Sequence, residues 1–427
     1  MAKPPGSLAK TSRPRLPPVV PRMRLYRLLD RGRKGSVVWV TGPPGAGKTT
    51  LVGSYLDARR LRALWYQVDE GDGDVATFFY YMALAVRRVA RGRGVPLRLL
   101  TPEYRAGLST FTRRYFQALY QRLRPPFVLV LDNYQEVPAD SPFHDVIRDG
   151  VAELPPGGAV VVISRNGPPP GLARLRASDA MHIIGWDQLR LTAAESRGIV
   201  RLRGQGRLRG DATRRLHDRT EGWVAGLVLL LERATAGSPS PRPADALDPE
   251  ATFDYFASEI LRSTDDATRQ FLLRTAFLGQ MTAPMAGDLT GVRRAARILA
   301  DLSRRSYFTE KRSQTEPVYQ YHPLFREFLL SEARKVFSRV ALVQVQRKAA
   351  AVLAAAGRAE DAVRLLREAR DWPGVARLIL EEAPDLVAQG RTQTLEEWLA
   401  GLPEALTAGD GWLQYWRGVC RLPSSLA

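Results

Sequence analysis

Short apolar runs alternate with segments of helical periodicity over about the first 186 residues. The third and fourth runs are continuous and rich in Val, Leu and Ile, as expected of strands buried on both faces. Helical periodicity lies between the runs, for example at Thr49–Arg59, Val75–Ala90 and Ser109–Leu123. This alternation predicts a parallel sheet covered by helices on both faces. The predicted strands are Ser36–Thr41, Ala63–Val68, Phe127–Leu131, Ala159–Ile163 and Met181–Ile184.

The chain after this region lacks the strand pattern and is predicted to be mainly helical. Ala193–Arg203, Ala212–Arg219 and Trp223–Ala234 form a small helical cluster. The segment that follows, Gly237–Pro243, is rich in Ser and Pro and has the composition of a linker.

A second helical cluster runs from Thr252 to about Arg305 and precedes a predicted β-hairpin of Tyr307–Glu310 and Val318–Tyr321. Helices followed by a two-strand wing indicate a winged-helix domain.

From about Val340 onward the pattern is one of helix pairs with small-residue contacts. Such pairs bury their apolar faces only by stacking, which predicts TPR-like repeats.

Composition is ordinary for a globular protein, with 45% hydrophobic and 25% charged residues. No apolar run is long enough to span a bilayer, and the N-terminus lacks the apolar segment of a secretory signal. A single cysteine, Cys420, excludes an internal disulfide framework. We therefore expect a cytoplasmic protein without membrane contact.

The net charge of +19 could attract nucleic acid or anionic lipid. However, only seven of the 63 basic residues are Lys, and the Arg residues are spread along the whole chain. This distribution is equally typical of a GC-rich genome. We therefore favour a solvated basic surface over DNA contact by this chain itself.

The strongest chemical motif lies between the first predicted strand and the next helix. It matches the phosphate-binding pattern G-x-x-x-x-G-K-[ST]. Its glycines let backbone N–H groups approach phosphate oxygens, and the following helix presents its positive end to the same charge. We expect Lys48 to reach the phosphates of ATP or ADP, Thr49 to bind Mg²⁺ and Thr50 to line the site. The motif is Gly42, Pro43, Pro44, Gly45, Ala46, Gly47, Lys48 and Thr49.

Asp132 ends the third predicted strand, which we expect to lie beside the P-loop strand, where a Mg²⁺-binding carboxylate belongs. Asn133 follows it, at the position where an active ATPase usually has a second carboxylate to orient water. An amide cannot act as a general base. We therefore expect slow, switch-like ATP hydrolysis.

Arg165 follows the fourth strand and either contacts a γ-phosphate or lies on the surface.

These patterns predict an α/β P-loop NTPase domain followed by helical, winged-helix and repeat domains. The segments are an N-terminal arm (1–35), the P-loop nucleotide-binding domain (36–190), a small helical domain with a linker (191–245), a winged-helix domain (246–335) and TPR-like repeats that appear cut short (336–427). The arm is rich in Pro, Lys and Arg, and we expect it to be extended and to end on a short helix, Arg24–Asp30.

Several further motifs occur in the order and spacing of a known family. The chain resembles the MalT-like large ATP-binding regulators of the LuxR group, within the STAND class of signalling NTPases. The resemblance covers nearly the whole chain. Its motifs are the arm from Arg13 to Arg22, Trp65–Asp74, Leu131–Glu136, Ile163–Arg165, Thr220–Trp223, Tyr321–Phe325, and the tail Ala362–Gln389 with Trp398–Pro403.

The resemblance implies a closed, ADP-bound resting state in which the winged-helix domain covers the nucleotide. His322 would then contact the ADP phosphate, and Arg22 would help to close the adenine side. An unknown inducer on the helical repeats would favour exchange for ATP and self-association. DNA would be bound only through an output domain, which is not visible in this sequence.

The sequence departs from the family at Asn133, and at Val224, where related members often have Pro near the adenine. Asn133 also bears on the main alternative, an AAA-type ATPase that remodels protein or DNA, because that function predicts an acidic pair after the third strand. A P-loop phosphotransferase and a purely structural P-loop fit less well, the first because of the long helical tail.

Overall fold

The computed structural model describes residues 10–89, 96–101, 104, 107–203, 210–235, 261, 264–304, 309–312 and 317–421. Within these residues, the first domain is built on a five-stranded parallel sheet of order β2-β3-β4-β1-β5. This confirms the predicted α/β fold, with each strand within one residue of its predicted bounds. The strands are β1 Val37–Thr41, β2 Arg62–Gln67, β3 Phe127–Asp132, β4 Gly158–Ser164 and β5 Met181–Ile184.

Helices cover both faces of the sheet because its central strands are apolar on both sides. One face packs on α3, α4 and α5, and the other packs on α1 and α2. Leu25 and Tyr26 of α1 are buried in this second core, so the end of the predicted arm belongs to the α/β domain. The helices are α1 Met23–Gly32, α2 Lys48–Ala58, α3 Val75–Val89, α4 Leu108–Leu123, α5 Phe143–Ala152, α6 Ala173–Ala177 and α7 Trp186–Leu189.

The small helical domain follows directly and begins with a capping box. The Thr192 hydroxyl accepts a hydrogen bond from Glu195 N, and the Glu195 carboxylate accepts one from Thr192 N, which satisfies two backbone donors at the helix start. The domain consists of α8 Ala193–Leu202, α9 Gly210–Thr220 and α10 Val224–Thr235. The predicted linker Gly237–Pro243 lies outside the described residues.

The winged-helix domain has a three-stranded antiparallel sheet of order β6-β8-β7, where the sequence predicted two strands. The third strand, β6, was missed because it is only three residues long, too short for a period to be seen. The elements are α11 Asp266–Thr275, β6 Gln280–Thr282, α12 Ala283–Thr290, α13 Ala295–Arg304, β7 Thr309–Arg312, β8 Val318–Tyr321 and α14 Pro323–Val336. Thr252 and Tyr307, which began predicted elements, lie outside the described residues.

The C-terminal part is a series of helices in which neighbours along the chain pack on one another, and it shares one apolar core with the winged-helix domain. They are α15 Arg339–Ala355, α16 Ala359–Glu368, α17 Trp372–Ala388, α18 Thr392–Ala400, α19 Glu404–Gly409 and α20 Gly411–Arg421. The end of the chain, where the last repeat was predicted to be cut short, lies outside the described residues. None of the described helices has the length and apolar character needed to cross a membrane.

Candidate nucleotide-binding site

The P-loop connects β1 to α2 and depends on glycine at two positions. Gly45 and Gly47 have φ angles of 72° and 78°, in the left-handed region that glycine adopts without steric cost. Gly47 is the N-cap of α2, so the first N–H groups of that helix face the loop. This is the arrangement that binds phosphate at a helix N-terminus.

Lys48 folds back over the loop. Its Nζ donates hydrogen bonds to the carbonyl oxygens of Gly42 at 2.6 Å and Pro43 at 3.0 Å. Burial lowers the pKa of Lys48 to about 8, an effect that Arg165 strengthens and Asp132 opposes. A half-buried cation whose hydrogen-bond acceptors are neutral carbonyl groups is poised to pair with an anion, because an opposite charge would offset its desolvation.

Thr49 and Asp132 lie close together and line a cavity beside the P-loop. The Thr49 hydroxyl lies 3.3 Å from Oδ1 and 3.4 Å from Oδ2 of Asp132, whose side chain is buried at the end of β3. A hydroxyl and a carboxylate at the foot of a phosphate loop are oxygen ligands of the kind that Mg²⁺ prefers. These two residues therefore fit the predicted Mg²⁺ site.

The sequence predicted that β3, the strand that ends at Asp132, lies beside the P-loop strand β1. The structure does not show this arrangement. β4 lies between β3 and β1. The prediction was wrong because β3 and β4 have the same continuous apolar pattern, and such a pattern does not specify neighbours inside a sheet. Arg165 therefore directly follows β4, the strand that pairs with the P-loop strand β1.

Asp132 is the only carboxylate among the described residues that line the nucleotide cavity. Asn133 lines it too and has a left-handed backbone with φ of 62°. Glu136 lines an adjoining cavity instead. Gln135 accepts a hydrogen bond from the backbone N of Arg165 at 3.0 Å.

The winged-helix domain closes the cavity from one side. Tyr321, His322 and Pro323, between β8 and α14, line it together with the P-loop. Gln280 Nε2 donates to Gln67 Oε1 at 3.1 Å, which joins β6 to the end of β2. The guanidinium of Arg165 forms an ion pair with Glu327 of α14 at 3.3 Å.

The small helical domain closes the loop from another side. Trp223 Nε1 donates to the Pro44 carbonyl oxygen at 2.9 Å, and Ala225 N donates to the Gly45 carbonyl oxygen at 3.1 Å. A Cβ on Gly45 would lie 2.5 Å from the Ala225 Cβ, so glycine is required there by contact as well as by φ. Val224 also lies close to the loop, since a Cβ added to Gly47 would lie 3.5 Å from Val224 Cγ2.

Arg22 is buried, and it is not among the described residues that line this cavity. Its Nη2 donates to the carbonyl oxygens of Leu189 at 2.6 Å and Arg190 at 2.9 Å, and its Nε lies 3.3 Å from Glu195. Burial lowers the pKa of Arg22 despite the Glu195 carboxylate. Arg22 therefore fixes the segment that joins the α/β domain to the helical domain.

Most of the predicted residues converge on this cavity. Pro44, Gly45, Gly47, Lys48, Thr49, Thr50, Asp132, Arg165 and His322 line it. Gly42 and Pro43 contribute carbonyl groups to Lys48, and Ala46 is buried beneath the loop. Sequence reasoning assigned no role to Gln67, Gln135 and Gln320, which also line the cavity. Gln67 and Gln135 lie within family motifs, but nothing in the sequence singles out a glutamine there as a site residue.

Comparison with known proteins identifies relatives by sequence. A family model described as the MalT winged helix domain matches residues 257–341. The HTH-type transcriptional regulator MalT of Cronobacter sakazakii is 30% identical over 407 residues, which is 94% of this chain and 45% of that protein. Its counterpart in Klebsiella pneumoniae is 29% identical over 402 residues, 92% of this chain and 44% of that protein. The chain thus spans a little under half the length of these relatives.

A solved structure shows the same fold. It is the crystal structure of a Signal Transduction ATPase with Numerous Domains (STAND) protein with a tetratricopeptide repeat sensor from Pyrococcus horikoshii. It has a TM-score of 0.50 and 15% identity, and the match covers 96% of this chain and 68% of that chain. The resemblance predicted from the motifs is confirmed, and the chain is a MalT-like protein with the fold of a STAND ATPase.

Proposed function

We propose that this chain is the nucleotide-gated switch of a MalT-like transcriptional regulator, and that it binds ADP or ATP with Mg²⁺ at the P-loop. The observation that carries the proposal is that two later domains contact residues that line the cavity beside the P-loop. Trp223 bonds to Pro44 from the helical domain, and Gln280 bonds to Gln67 from the winged-helix domain. A nucleotide at the loop would touch all three domains, so a change of nucleotide would change how they pack.

The roles of the residues follow from their positions. Lys48 and the amides of the loop would hold the phosphates, and Thr49 and Asp132 would hold Mg²⁺, which would neutralise phosphate charge. His322 would contact the phosphate of ADP from the winged-helix domain. Arg165 would contact a γ-phosphate in exchange for Glu327.

Arg22 would act on the adenine side through the segment that it fixes between the α/β and helical domains. Its guanidinium holds two carbonyl oxygens of that segment. Arg22 would therefore act by holding this segment in position.

Hydrolysis would be slow. Asn133 occupies the place next to Asp132 and cannot accept a proton from water. The alternative, an AAA-type ATPase that remodels protein or DNA, would need a second carboxylate at the nucleotide. Among the described lining residues, Asp132 is the only one, which favours the switch.

Signalling would proceed by exchange of nucleotide. An inducer on the helical repeats would favour ATP over ADP, and the opened chain would self-associate. The inducer could do this only by binding the two states with different affinity. The relatives are named HTH-type regulators, and we propose that DNA is likewise bound here through an output domain, in the cytoplasm.

The test is to purify the chain, denature it and identify the released nucleotide, then to measure single-turnover ATP hydrolysis with the wild type and Lys48→Ala. We expect the wild type to retain ADP and to turn over more slowly than roughly 1 per second, which is at the low end for dedicated enzymes. Lys48→Ala should retain no nucleotide. Rapid multiple turnover without inducer would favour the AAA-type alternative, and nucleotide retained equally by Lys48→Ala would contradict the assigned site.

A further inference from the structure

A groove lies along one face of α4, outside the nucleotide site. Its volume is about 640 Å³, within the range of roughly 300–1,000 Å³ typical of pockets for small organic molecules. The residues of α4 that line it recur every three or four positions, so they form one continuous face. They are Thr110, Phe111, Arg114, Tyr115, Ala118 and Arg122.

The opposite wall is the segment that precedes α4 in the chain, represented by Pro96, Leu97 and Arg98. Tyr104 closes one end, with its ring centroid 5.3 Å from that of Phe111. The groove is therefore bounded by two separate pieces of backbone and by an aromatic side chain.

The floor of the groove is apolar and held in place from beneath. Phe111 and Tyr115 are buried, with ring centroids 6.0 Å apart. The Tyr115 hydroxyl donates to the Phe79 carbonyl oxygen at 2.8 Å, so its polar end points into the protein and its ring contributes to the floor. A preformed aromatic floor favours a ligand with an apolar or aromatic body.

The charged groups of the groove are all of one sign. Arg98, Arg114 and Arg122 line it, and the described lining residues include no Asp or Glu. Arg122 donates to the Ala118 carbonyl oxygen of its own helix. Arg98 and Arg114 are exposed and, in the described part of the chain, have no hydrogen-bond or ion-pair partner. Guanidinium groups recognise carboxylate and phosphate through paired hydrogen bonds.

We propose that this groove binds a soluble amphipathic organic anion, whose acidic group pairs with Arg98 and Arg114 and whose apolar body lies on Phe111 and Tyr115. Charge and shape both support this class of ligand. A neutral apolar molecule would leave the two guanidinium groups unused, and a small inorganic anion would leave most of the groove volume empty. The site is independent of the P-loop and of the proposed switch.

Calorimetric titration of the whole chain with decanoate tests the proposal, with decanol as the uncharged analogue. We expect one decanoate per chain and clearly weaker binding of decanol. The double variant Arg98→Gln/Arg114→Gln should weaken decanoate binding about tenfold, the effect of losing charge-assisted hydrogen bonds. The control is Arg113→Gln/Arg174→Gln, which removes the same charge from two exposed arginines outside the groove. It should bind decanoate as the wild type does.

A second variant tests the floor separately from the charge. Thr110→Trp places a large ring over the groove from an exposed position and should abolish binding, while its circular dichroism stays that of the wild type. Four results would overturn the proposal: no decanoate binding at millimolar concentration, equal weakening by the two double variants, equal affinity for decanol, or binding only to anionic lipid vesicles.

Discussion

Thr394 donates a hydrogen bond from Oγ1 to Asp74 Oδ2 at 2.7 Å, although the two residues are 320 positions apart in the chain. Asp74 immediately precedes α3 of the α/β domain, and Thr394 lies in the first turn of α18 in the repeats. Both side chains are buried. The repeats therefore contact the nucleotide-binding domain directly, and not only through the winged-helix domain.

Further contacts extend this interface. Arg391 donates from Nε to Thr77 Oγ1 at 2.7 Å and forms an ion pair with Glu360 of α16. The backbone at Gly390 approaches the Leu100 carbonyl oxygen so closely that no Cβ would fit. A ligand that moved the repeats would have to break or reshape these buried polar contacts, which links the proposed inducer site to the nucleotide domain.

Thr394→Val should loosen this interface. Valine has nearly the shape of threonine but no hydroxyl, so Asp74 would lose one of its buried hydrogen bonds at a cost of about 1–2 kcal/mol. We expect the free energy of local opening in α18 and at the start of α3 to fall by that amount. Amide hydrogen exchange measures it. Exchange in β3 and β4 should stay unchanged.

Thr407→Val is the matched control. The Thr407 hydroxyl is also buried but donates only to the Glu404 carbonyl oxygen of its own helix. Its effect should stay within α19 and its neighbours in the repeats. If Thr394→Val left exchange at α3 unchanged, or if both variants altered it equally, the interface would not depend on this hydrogen bond.

The sheet and the P-loop were predictable from sequence because both are local patterns. The run Phe127–Asp132 is buried at every position, and continuous apolar runs of this length have few alternatives. The P-loop motif spans eight adjacent residues, and two of its three glycines, Gly45 and Gly47, have the left-handed φ that glycine adopts without steric cost. Local patterns did not give the order of strands, which depends on how the connecting helices cross.

Contacts between domains were not predictable for the same physical reason. Gln67 and Gln280 are 213 positions apart. Gln67 lies within the motif Trp65–Asp74, but nothing in the sequence pairs it with Gln280. Trp223 was part of a recognised motif, but only the structure shows its indole N–H directed at Pro44. Pairings of this kind depend on domain packing, which periodicity does not encode.

Nucleotide affinity should fall as pH rises above about 8. Burial and Arg165 lower the pKa of Lys48 to about 8 in the nucleotide-free chain, whereas bound phosphates would favour the charged form and raise it. Between these two pKa values, binding takes up one proton. By linkage, affinity then decreases by about tenfold per pH unit as the pH increases.

Calorimetry with ADP from pH 7.5 to 9.5, in buffers of different ionisation enthalpy, measures both the affinity and the proton uptake. Lys48→Arg serves as the control because a guanidinium stays protonated over this range. Its affinity for ADP should not vary with pH in this way. Constant affinity of the wild type between pH 7.5 and 9.5, without proton uptake, would contradict the combination of a lowered Lys48 pKa in the nucleotide-free chain and a contact between Lys48 and phosphate.

Trp223→Phe should speed the release of ADP. The substitution keeps an aromatic ring beside Gly45 but removes the hydrogen bond to the Pro44 carbonyl oxygen. A neutral hydrogen bond is worth about 0.5–1.5 kcal/mol, so the dissociation rate should rise by about two- to tenfold. Stopped-flow displacement of a fluorescent ADP analogue measures this rate. Trp372→Phe, in the repeats, is the control and should release ADP at the wild-type rate.

Glu327→Gln should shift the preference of the chain from ADP toward ATP. The carboxylate pairs with Arg165 at 3.3 Å, and both side chains are partly exposed. Removal of this partner would leave the Arg165 guanidinium available to a γ-phosphate. Because partly exposed ion pairs contribute little, the ratio of ATP affinity to ADP affinity should rise only about two- to fivefold.

Competition titrations of the two nucleotides against a fluorescent analogue give this ratio. Glu332→Gln is the matched control on the same helix, since Glu332 pairs with Lys335 away from the cavity. It should leave the ratio unchanged. If Glu327→Gln lowered the affinity for both nucleotides equally, Glu327 would be needed only to hold α14 against the α/β domain, and Arg165 would not distinguish ATP from ADP.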